Sequence, residues 1–414
     1  AAVQSQVILT GIVQDSGLAN PNQLDGLLFQ WDQVSGPVQA VFTDATQRST
    51  TATFTIGGIY VLRFTATNRQ IPSLISSATV AITVNQRPVV NAGAAQTIQL
   101  PAEAELDATV SDDGLPTTPG ILTFQWEKVS GPGTVTFAND TSSYTTARFS
   151  QSGTYVLRFT ARDGAAQSSK TVEVVAKAPP RVTRELLVLY PFEENGGTTV
   201  NDVSGIAPPL NLTVNGNAAL AGGILTVNSP AVIASSGAAT KLIQAAKAKP
   251  INAHAITIEA WVKPKNTNPT QSLPARIVTL STDALNRNFT LGQDNGTYVV
   301  RLRTKTDNPD ALNGTNNALS AGVVATDRVS HLVYTWSAAS QIARLYQDGV
   351  EVGQKRNVSG NFSSWDNNYR FAIANEFSDQ PRAWLGEVHL VAIYNTELTS
   401  DEVKQNFAAG SDAK

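Results

Sequence analysis

The chain of 414 residues contains neither cysteine nor methionine. The lack of cysteine excludes disulfides, zinc–thiolate sites, thiol-attached haem and a thiol nucleophile. The lack of methionine leaves no starter residue, so we expect a processed product or a fragment of a longer protein. No apolar run reaches the length of about 18 residues that a membrane-spanning helix needs, which argues against membrane insertion.

Charged side chains are also scarce. They make up 15% of the residues, against a usual share of about a quarter, and the net charge is −3 without a basic run. This composition excludes nucleic acid as an expected partner. Phosphate-loop motifs are missing as well, so no nucleotide is expected. The hydrophobic fraction of 42% is that of globular proteins, and the length allows about three domains.

A self-match is the most informative feature that is present. Residues 29–68 and 124–163 align without a gap, and both contain FQW, VSGP and YVLRFTA. The alternation in VLRFTA predicts strands, and Gly and Pro mark the turns between them. About seven short strands per copy favour an immunoglobulin-type β-sandwich. Trp31 and Trp126 lie in such strands, so we expect them in the two cores.

The second copy resembles a PKD (polycystic-kidney-disease) domain of bacterial exported proteins. The resemblance rests on RPVVNAG, LDATVSDDGLP, FQWEKVSGP and YVLRFTARDG, and it covers essentially all of residues 88–176. The first copy has no counterpart of RPVVNAG. We therefore expect that its first strand is missing and that the chain starts inside a domain; the alternative is cleavage of a signal peptide before Ala1.

The remainder of the chain is again rich in strand patterns and resembles the laminin-G-like, concanavalin-A-like jelly-roll domains. The matching pieces are LVLYPFEENGG, ITIEAWVKP, RLYQDGVEVG and WLGEVHLVAIYN. Two helices are predicted, over 239–249 and 399–410. In the second, Thr399 is the predicted N-cap, Glu402 completes a capping box and Gly410 ends the helix.

These observations predict an all-β chain with two immunoglobulin-like sandwiches in tandem and a concanavalin-A-like jelly-roll. The predicted boundaries are 1–86 and 87–177 for the PKD-like sandwiches, 178–185 for a linker that its two prolines stiffen, and 186–414 for the jelly-roll.

Calcium is the one expected cofactor, in a structural role. The PKD resemblance implies calcium ligands in acidic loops, where Asn91, Asp112, Asp113 and Asp163 are the candidates. The alternative is that these residues only shape turns.

The jelly-roll resemblance implies a second calcium site. Glu387 in the last-strand motif matches the position of a usual ligand, and Asp202 of the N-terminal loop is its candidate partner. The alternative for Glu387 is an exposed charge on a strand.

Carbohydrate binding requires an exposed aromatic ring beside polar groups. Trp261, Trp336 and Trp384 lie in apolar strands and are expected in the core. Trp365 lies in the polar segment GNFSSWDNNYRF, so Trp365, Asp366 and Tyr369 form the predicted ligand site. The alternative is that Trp365 anchors the loop on the sandwich edge.

Catalysis is not expected. The acidic E-x-D-x-E strand of the glucanases in this superfamily is missing, and His331 and His389 lie inside apolar strands. We therefore expect a non-catalytic, secreted or cell-surface recognition protein whose jelly-roll binds a glycan or a surface protein. The alternatives are a scaffold subunit of a larger surface assembly and a fragment of a multidomain enzyme.

Overall fold

The computed structural model describes residues 1–14, 26–72, 74–118, 120–269, 274–304, 314–315, 317–377 and 382–412. The chain divides into an N-terminal unit, Ala1–Lys177, and a C-terminal unit, Ala178–Lys414. Both units are built from strands, as the sequence patterns predict. None of the helices in the described ranges is long and apolar enough to cross a membrane.

The N-terminal unit contains two sandwiches. The strands of the first sandwich are β1 (Gln6–Thr10), β2 (Leu27–Ser35), β3 (Val41–Phe42), β4 (Ser49–Thr53), β5 (Gly58–Asn68) and β6 (Ile75–Val84). They form two sheets, in the orders β1-β4-β3 and β2-β5-β6. Trp31 is buried between these sheets beside Phe64, as predicted.

The second sandwich repeats this plan with additional strands. They are β7 (Val89–Asn91), β8 (Gln96–Gln99), β9 (Ala104–Asp107), β10 (Thr109–Ser111), β11 (Thr123–Ser130), β12 (Val135–Phe137), β13 (Tyr144–Phe149), β14 (Gly153–Arg162) and β15 (Gln167–Lys177). The sheets have the orders β11-β14-β15-β8, β12-β13-β9 and β10-β7. Trp126 is buried in this core, which confirms its predicted position.

Within the described residues, all remaining strands belong to the C-terminal unit. They are β16 (Leu186–Tyr190), β17 (Thr199–Val200), β18 (Leu212–Ala221), β19 (Ile224–Ser235), β20 (Ala255–Pro264), β21 (Ala275–Ser281), β22 (Arg287–Asp294), β23 (Thr297–Leu302), β24 (Leu319–Ala321), β25 (Ser330–Ser337), β26 (Ala343–Gln347), β27 (Val350–Lys355), β28 (Arg370–Ile373) and β29 (Gly386–Tyr394). These strands pair into a nearly closed antiparallel sheet whose main path is β24-β23-β22-β21-β28-β19-β29-β20-β25-β26-β27.

Strand β20 shows why this unit has two cores. Its side chains alternate between faces, so Ile258 and Ala260 enter the main core while Trp261 enters a smaller core on the other face. Trp336 and Trp384 belong to the main core. All three tryptophans are buried, as predicted.

Two α-helices lie in the described part of the C-terminal unit, where the sequence predicts them: α1 (Thr240–Ala248) and α2 (Ser400–Ala409). The capping box of α2 is formed, because Thr399 Oγ1 accepts from the Glu402 amide and the Thr399 amide donates to the Glu402 carboxylate. Gly410 follows with a φ of 86°, a backbone conformation that suits glycine.

The segment 178–185, which the sequence predicts to be a proline-stiffened linker, is packed into the C-terminal unit. Arg181 and Val182 are buried in the C-terminal unit. The Val182 amide donates to Asn406 Oδ1 of α2 at 2.9 Å. The two prolines indicate an extended backbone, but the partners that hold this segment lie more than 60 residues away in the sequence and have no local signature.

Candidate functional site

Trp365 is not available for stacking on a sugar. Its side chain is 3% exposed, its ring centroid lies 4.3 Å from that of Phe362, and its Nε1 donates to the Arg303 carbonyl at 2.7 Å. Tyr369 is buried as well. The prediction of an exposed stacking site is therefore wrong for both rings, because the polar segment around Trp365 folds its aromatic side chains into the main core.

Asp366 has a local structural role. Its amide donates to Asn288 Oδ1 at 3.0 Å, and its Oδ1 accepts from the Asn368 amide at 2.8 Å. These bonds tie the loop to the start of β22. A ligand-binding role for Asp366 stays a prediction.

Asp202 already binds a cation that belongs to the protein. Lys241 Nζ lies 2.6 Å from Asp202 Oδ2 and also donates to Ser204 Oγ at 3.2 Å and to the Ile206 carbonyl at 2.5 Å. Burial raises the pKa of Asp202, but Lys241 and the surrounding amides hold it below its usual value. The lysine ammonium thus occupies the oxygen ligands that a calcium ion would need.

Glu387 lies too far from Asp202 to share an ion with it. The Leu189 amide donates to Asp202 Oδ1 at 3.2 Å, and Leu189 pairs with Ala392 on β29. Glu387 lies five residues from Ala392 along the strand, or about 17 Å. It faces Lys263 and His389 instead. The predicted pairing of Asp202 with Glu387 is therefore wrong, and the alternative of a strand charge describes Glu387.

The acidic residues of the second sandwich mainly shape turns. Asp163 Oδ1 accepts from the Ala165 and Ala166 amides, and Asn91 Oδ1 accepts from the Gly93 amide. Asp113 accepts from the Leu115 amide. These are the bonds of the turn-forming alternative.

Asp112 shows that three of these carboxylates lie near one another. Burial raises its pKa, and the negative charges of Asp113 and Asp163 raise it further. Asp112 Oδ1 is buried without a hydrogen-bond partner. Nevertheless, within the described ranges no group of three or more His, Asp or Glu residues is arranged to hold a metal ion.

Calcium binding by the second sandwich stays a prediction, and the alternative is that these carboxylates only shape turns. If they only shape turns, adding a chelator should leave the melting midpoints of both units within about 1 °C of their values in calcium, because only a bound ion would stabilise the folded state by mass action. Differential scanning calorimetry with EDTA and with excess calcium measures this. A rise of several degrees in calcium that D112N abolishes would instead support the calcium site in the second sandwich.

A cluster of arginines on the C-terminal unit is the site that the sequence did not predict. The arginine cluster consists of Arg276 on β21, Arg287 on β22, Arg301 on β23, and Arg382 before β29. Arg301 pairs with Thr290 of β22, and Arg276 pairs with Gly292, which lies two residues further along β22. Adjacent strands therefore bring these side chains to the same face of the sheet.

Glu376 is the buried carboxylate of this cluster. Its two oxygens lie 2.9 Å from Arg276 Nε and 3.3 Å from Arg382 Nε. Arg276 and Arg287 also donate to the Ala284 carbonyl, at 3.2 and 3.1 Å. The guanidinium groups thus fasten loop backbone to the sheet.

The guanidinium groups of the arginine cluster repel one another and are partly removed from water, and both effects disfavour their charged forms. Burial, together with the nearby guanidinium groups of Arg301 and Arg382, lowers the pKa of Arg276 to about 10 and that of Arg287 to about 9. Asp283 lies near Arg287, and Asp294 lies near Arg301. Arg301 Nε is buried without a hydrogen-bond partner. The described part of this face therefore has more positive than negative groups.

A second buried cluster of the C-terminal unit surrounds Glu259 on β20. Its oxygens accept hydrogen bonds from Arg181 Nη1 (2.5 Å), His331 Nε2 (2.9 Å), Trp261 Nε1 (3.3 Å), Tyr394 Oη (3.1 Å) and Asn406 Nδ2 (2.8 Å). Arg181, Glu259 and His331 are fully buried. We call this the Glu259 cluster. It joins segment 178–185, β20, β25, β29 and α2, so its role is structural.

Comparison with known proteins divides the chain in the same way. Residues 92–176 match the family model of the K319L-like PKD domain, and residues 237–404 match that of the laminin G type, described as the concanavalin A-like lectin/glucanases superfamily. The dyslexia-associated protein KIAA0319 of Homo sapiens is 32% identical over 139 residues, which are 31% of this chain and 13% of the human protein. Its Mus musculus homologue is 35% identical over 127 residues, or 28% of this chain and 11% of that protein.

Among solved structures, domain 4 of an extracellular arabinanase from Geobacillus stearothermophilus, in complex with arabinotriose, is 18% identical. The match covers 56% of this chain and 99% of that domain, with a TM-score of 0.36. The chain spans only a small part of the curated relatives that it matches. The family models, in contrast, describe modules of the binding and adhesion type over most of the C-terminal unit and the second sandwich. The chain thus carries a PKD domain at residues 92–176 followed by a concanavalin A-like domain of the laminin G type at residues 237–404, as its sequence motifs predicted.

Proposed function

We propose that this chain is part of a secreted or cell-surface recognition protein, that the PKD-like sandwiches act as spacers, and that the jelly-roll binds an acidic glycan at the arginine cluster. The excess of guanidinium groups over carboxylates on one sheet face, among the residues that the structure describes, is the observation that carries the proposal. The match of residues 237–404 to a superfamily of lectins and glucanases supports a carbohydrate ligand.

The geometry suits a carboxylate or sulfate group. Arginine presents a planar fork of donors that binds such groups through two parallel hydrogen bonds. Arg301 and Arg382 are partly exposed, so a ligand reaches them from solvent, whereas Arg276 and Arg287 supply positive potential from below. An incoming anion offsets the mutual repulsion of the guanidinium groups.

Replacing Arg301 by glutamine is expected to weaken binding at least about tenfold, because a charge-assisted hydrogen bond is lost. Isothermal titration of the full chain with an oligosaccharide of uronic acid residues measures the affinity. R356Q is the matched control, since Arg356 is exposed and lies outside the cluster.

The neutral oligosaccharide of the same length separates charge recognition from general sugar binding. We expect no binding of it, and we expect the acidic oligosaccharide to bind less tightly as salt rises. Equal affinities for both sugars, or equal effects of R301Q and R356Q, would contradict the proposal. Binding of an acidic protein surface but of no acidic glycan would also contradict it.

A further inference from the structure

The two sandwiches of the N-terminal unit are joined by a very short linker. Residues 85–87 and Pro88 connect β6 of the first sandwich to β7 of the second. The proline restricts the preceding Arg87 to extended conformations, but it leaves the other linker residues free to turn. Neighbouring domains move against each other by default unless contacts fix them. The contacts of residues 85–87 therefore decide whether the two sandwiches move independently.

Asp163 of the second sandwich divides its two carboxylate oxygens between its own turn and the linker. Its Oδ1 accepts from the amides of Ala165 and Ala166, at 2.7 and 2.6 Å. Its Oδ2 accepts from Asn85 Nδ2 at 3.0 Å. The backbone of Asn85 belongs to the first sandwich, because its carbonyl accepts from the Val3 amide at 3.2 Å. The bond between Asp163 and Asn85 thus crosses from one sandwich to the other.

Asp113 divides its oxygens in the same way. Its Oδ1 accepts from the Leu115 amide at 3.0 Å, and its Oδ2 accepts from the Gln86 amide at 2.9 Å. Gly57 of the first sandwich lies directly against this carboxylate. A Cβ at position 57 would stand 1.9 Å from Asp113 Oδ2 and 2.9 Å from the Cβ of Gln86, which is closer than atoms can approach. The missing side chain of Gly57 therefore lets the first sandwich reach Asp113.

The crossing bond to Asp163 is held by a buried, ionised carboxylate. Asp163 is 3% exposed. Burial acts to raise its pKa, but Asn85 and the amides of Ala165 and Ala166 hold this pKa below its usual value. Hydrogen bonds to an ionised group are stronger than those between neutral groups, and losing one leaves a buried charge with fewer donors. Opening the joint at Asn85 consequently costs free energy.

We infer that Asp113 and Asp163 of the second sandwich clamp Gly57, Asn85 and Gln86 of the first and thereby lock the two sandwiches into one rigid rod. We call these five residues the joint clamp. The inference rests on the spacer role proposed for the sandwiches and deepens it. A rigid rod sets a fixed distance between its two ends, whereas two hinged sandwiches allow a wide range of distances.

Distance measurements between two spin labels test the rigidity. The chain contains no cysteine, so S49C on β4 and T136C on β12 place one label on an exposed position of each sandwich. Double electron–electron resonance on the full chain then gives the distribution of the distance between the labels. We expect a single narrow distribution when the joint clamp is intact.

D163N should broaden this distribution at least about twofold. The new amide keeps an oxygen for the amides of Ala165 and Ala166, but it presents an NH₂ group to the NH₂ group of Asn85, so the crossing bond alone is lost. D107N is the matched control, since Asp107 is an exposed carboxylate on β9 outside the joint clamp. It should leave the distribution as narrow as before.

Exchanging donor and acceptor provides the rescue. N85D alone sets two carboxylates against each other and should also broaden the distribution. N85D combined with D163N restores one donor opposite one acceptor, so the double variant should be narrow again. A merely local role of Asp163 in its own turn would not give this rescue.

Three results would overturn the inference: a broad distribution with the clamp residues unchanged, a D163N distribution as narrow as that of D107N, or broadening by EDTA, which would assign the rigidity to a bound ion. Failure of the full chain to bind an acidic glycan would contradict the function proposed for the jelly-roll and would leave these distances unchanged. The two failures are therefore distinguishable.

Discussion

Replacing Glu259 by alanine is expected to lower the free energy of unfolding of the C-terminal unit by about 3–5 kcal/mol. The substitution removes the carboxylate from a fully buried cluster and leaves the Arg181 guanidinium without its ion-pair partner. A buried charge without a partner is among the most destabilising defects of a protein interior. Scanning calorimetry of the full chain measures the effect as a lower melting midpoint of this unit.

The matched control is E387A. Glu387 lies on the same sheet as Glu259 and pairs in register with Lys263 of β20. In contrast to Glu259, its side chain is 35% exposed. An exposed ion pair contributes about 0–1 kcal/mol, so this control should unfold close to the wild type. Similar losses in both variants would show that the Glu259 cluster does not hold the unit together.

The same cluster predicts a pH dependence. Burial acts to raise the pKa of Glu259, but Arg181 and His331 outweigh it and hold this pKa far below its usual value. When folding lowers the pKa of a carboxyl, the ionised carboxylate stabilises the folded state. This stabilisation is complete at pH values above the pKa of the unfolded chain, about 4.3, and it is lost as the pH falls from there towards the pKa of the folded state. The difference in stability between the wild type and E259Q should therefore shrink when chemical unfolding is repeated at pH 3 instead of pH 7.

Replacing Trp365 by alanine should destabilise the C-terminal unit by about 3–5 kcal/mol, as expected when a large aromatic side chain is removed from a core. The ring packs against Phe289 and Phe362, and its indole nitrogen donates to a backbone carbonyl. Urea unfolding followed by circular dichroism measures the loss. W365F keeps an aromatic ring in the same place and should lose distinctly less.

This prediction also separates packing from recognition. If Trp365 stacked on a sugar, W365A would weaken glycan binding and leave the folded state intact. The buried ring predicts the opposite: W365A lowers stability, and any folded fraction binds as the wild type does. Unchanged unfolding of W365A would contradict the buried position.

Strand β20 is covered on both faces. Ile258 lies in the main core, whereas Glu259 contacts segment 178–185 and α2 on the other side. Segment 178–185 is thereby a part of the C-terminal unit. Weakening the Glu259 cluster should for this reason expose residues 181 and 182 together with α2.

Much of the fold follows from local patterns. The alternation in VLRFTA predicts strands because side chains of a strand point to opposite faces, and Trp31 and Trp126 fall on the inward positions. Helix α2 begins and ends where Thr399, Glu402 and Gly410 indicate, because capping depends on backbone groups within a few residues. The self-match predicts a repeated fold for a similar reason, since the same residues meet the same neighbours in both copies.

The candidate sites did not follow in the same way. Trp365 lies in a polar segment, and only the packing of distant strands decides that its ring turns inward. Asp202 has the residue type of a calcium ligand. However, Lys241 of helix α1, which follows Asp202 by 39 residues in the sequence, forms an ion pair with it. The members of the arginine cluster are spread over more than 100 residues, and only the pairing of adjacent strands brings them together.

The amino-acid sequence by itself therefore determined the all-β class, the duplicated sandwich, the jelly-roll that follows and the limits of the helices, because each depends on periodicity or on contacts between residues close in the chain. Tertiary structure alone decided which polar groups are buried and which cations meet which carboxylates. Those outcomes depend on burial and on long-range contacts, whose energies no local pattern contains.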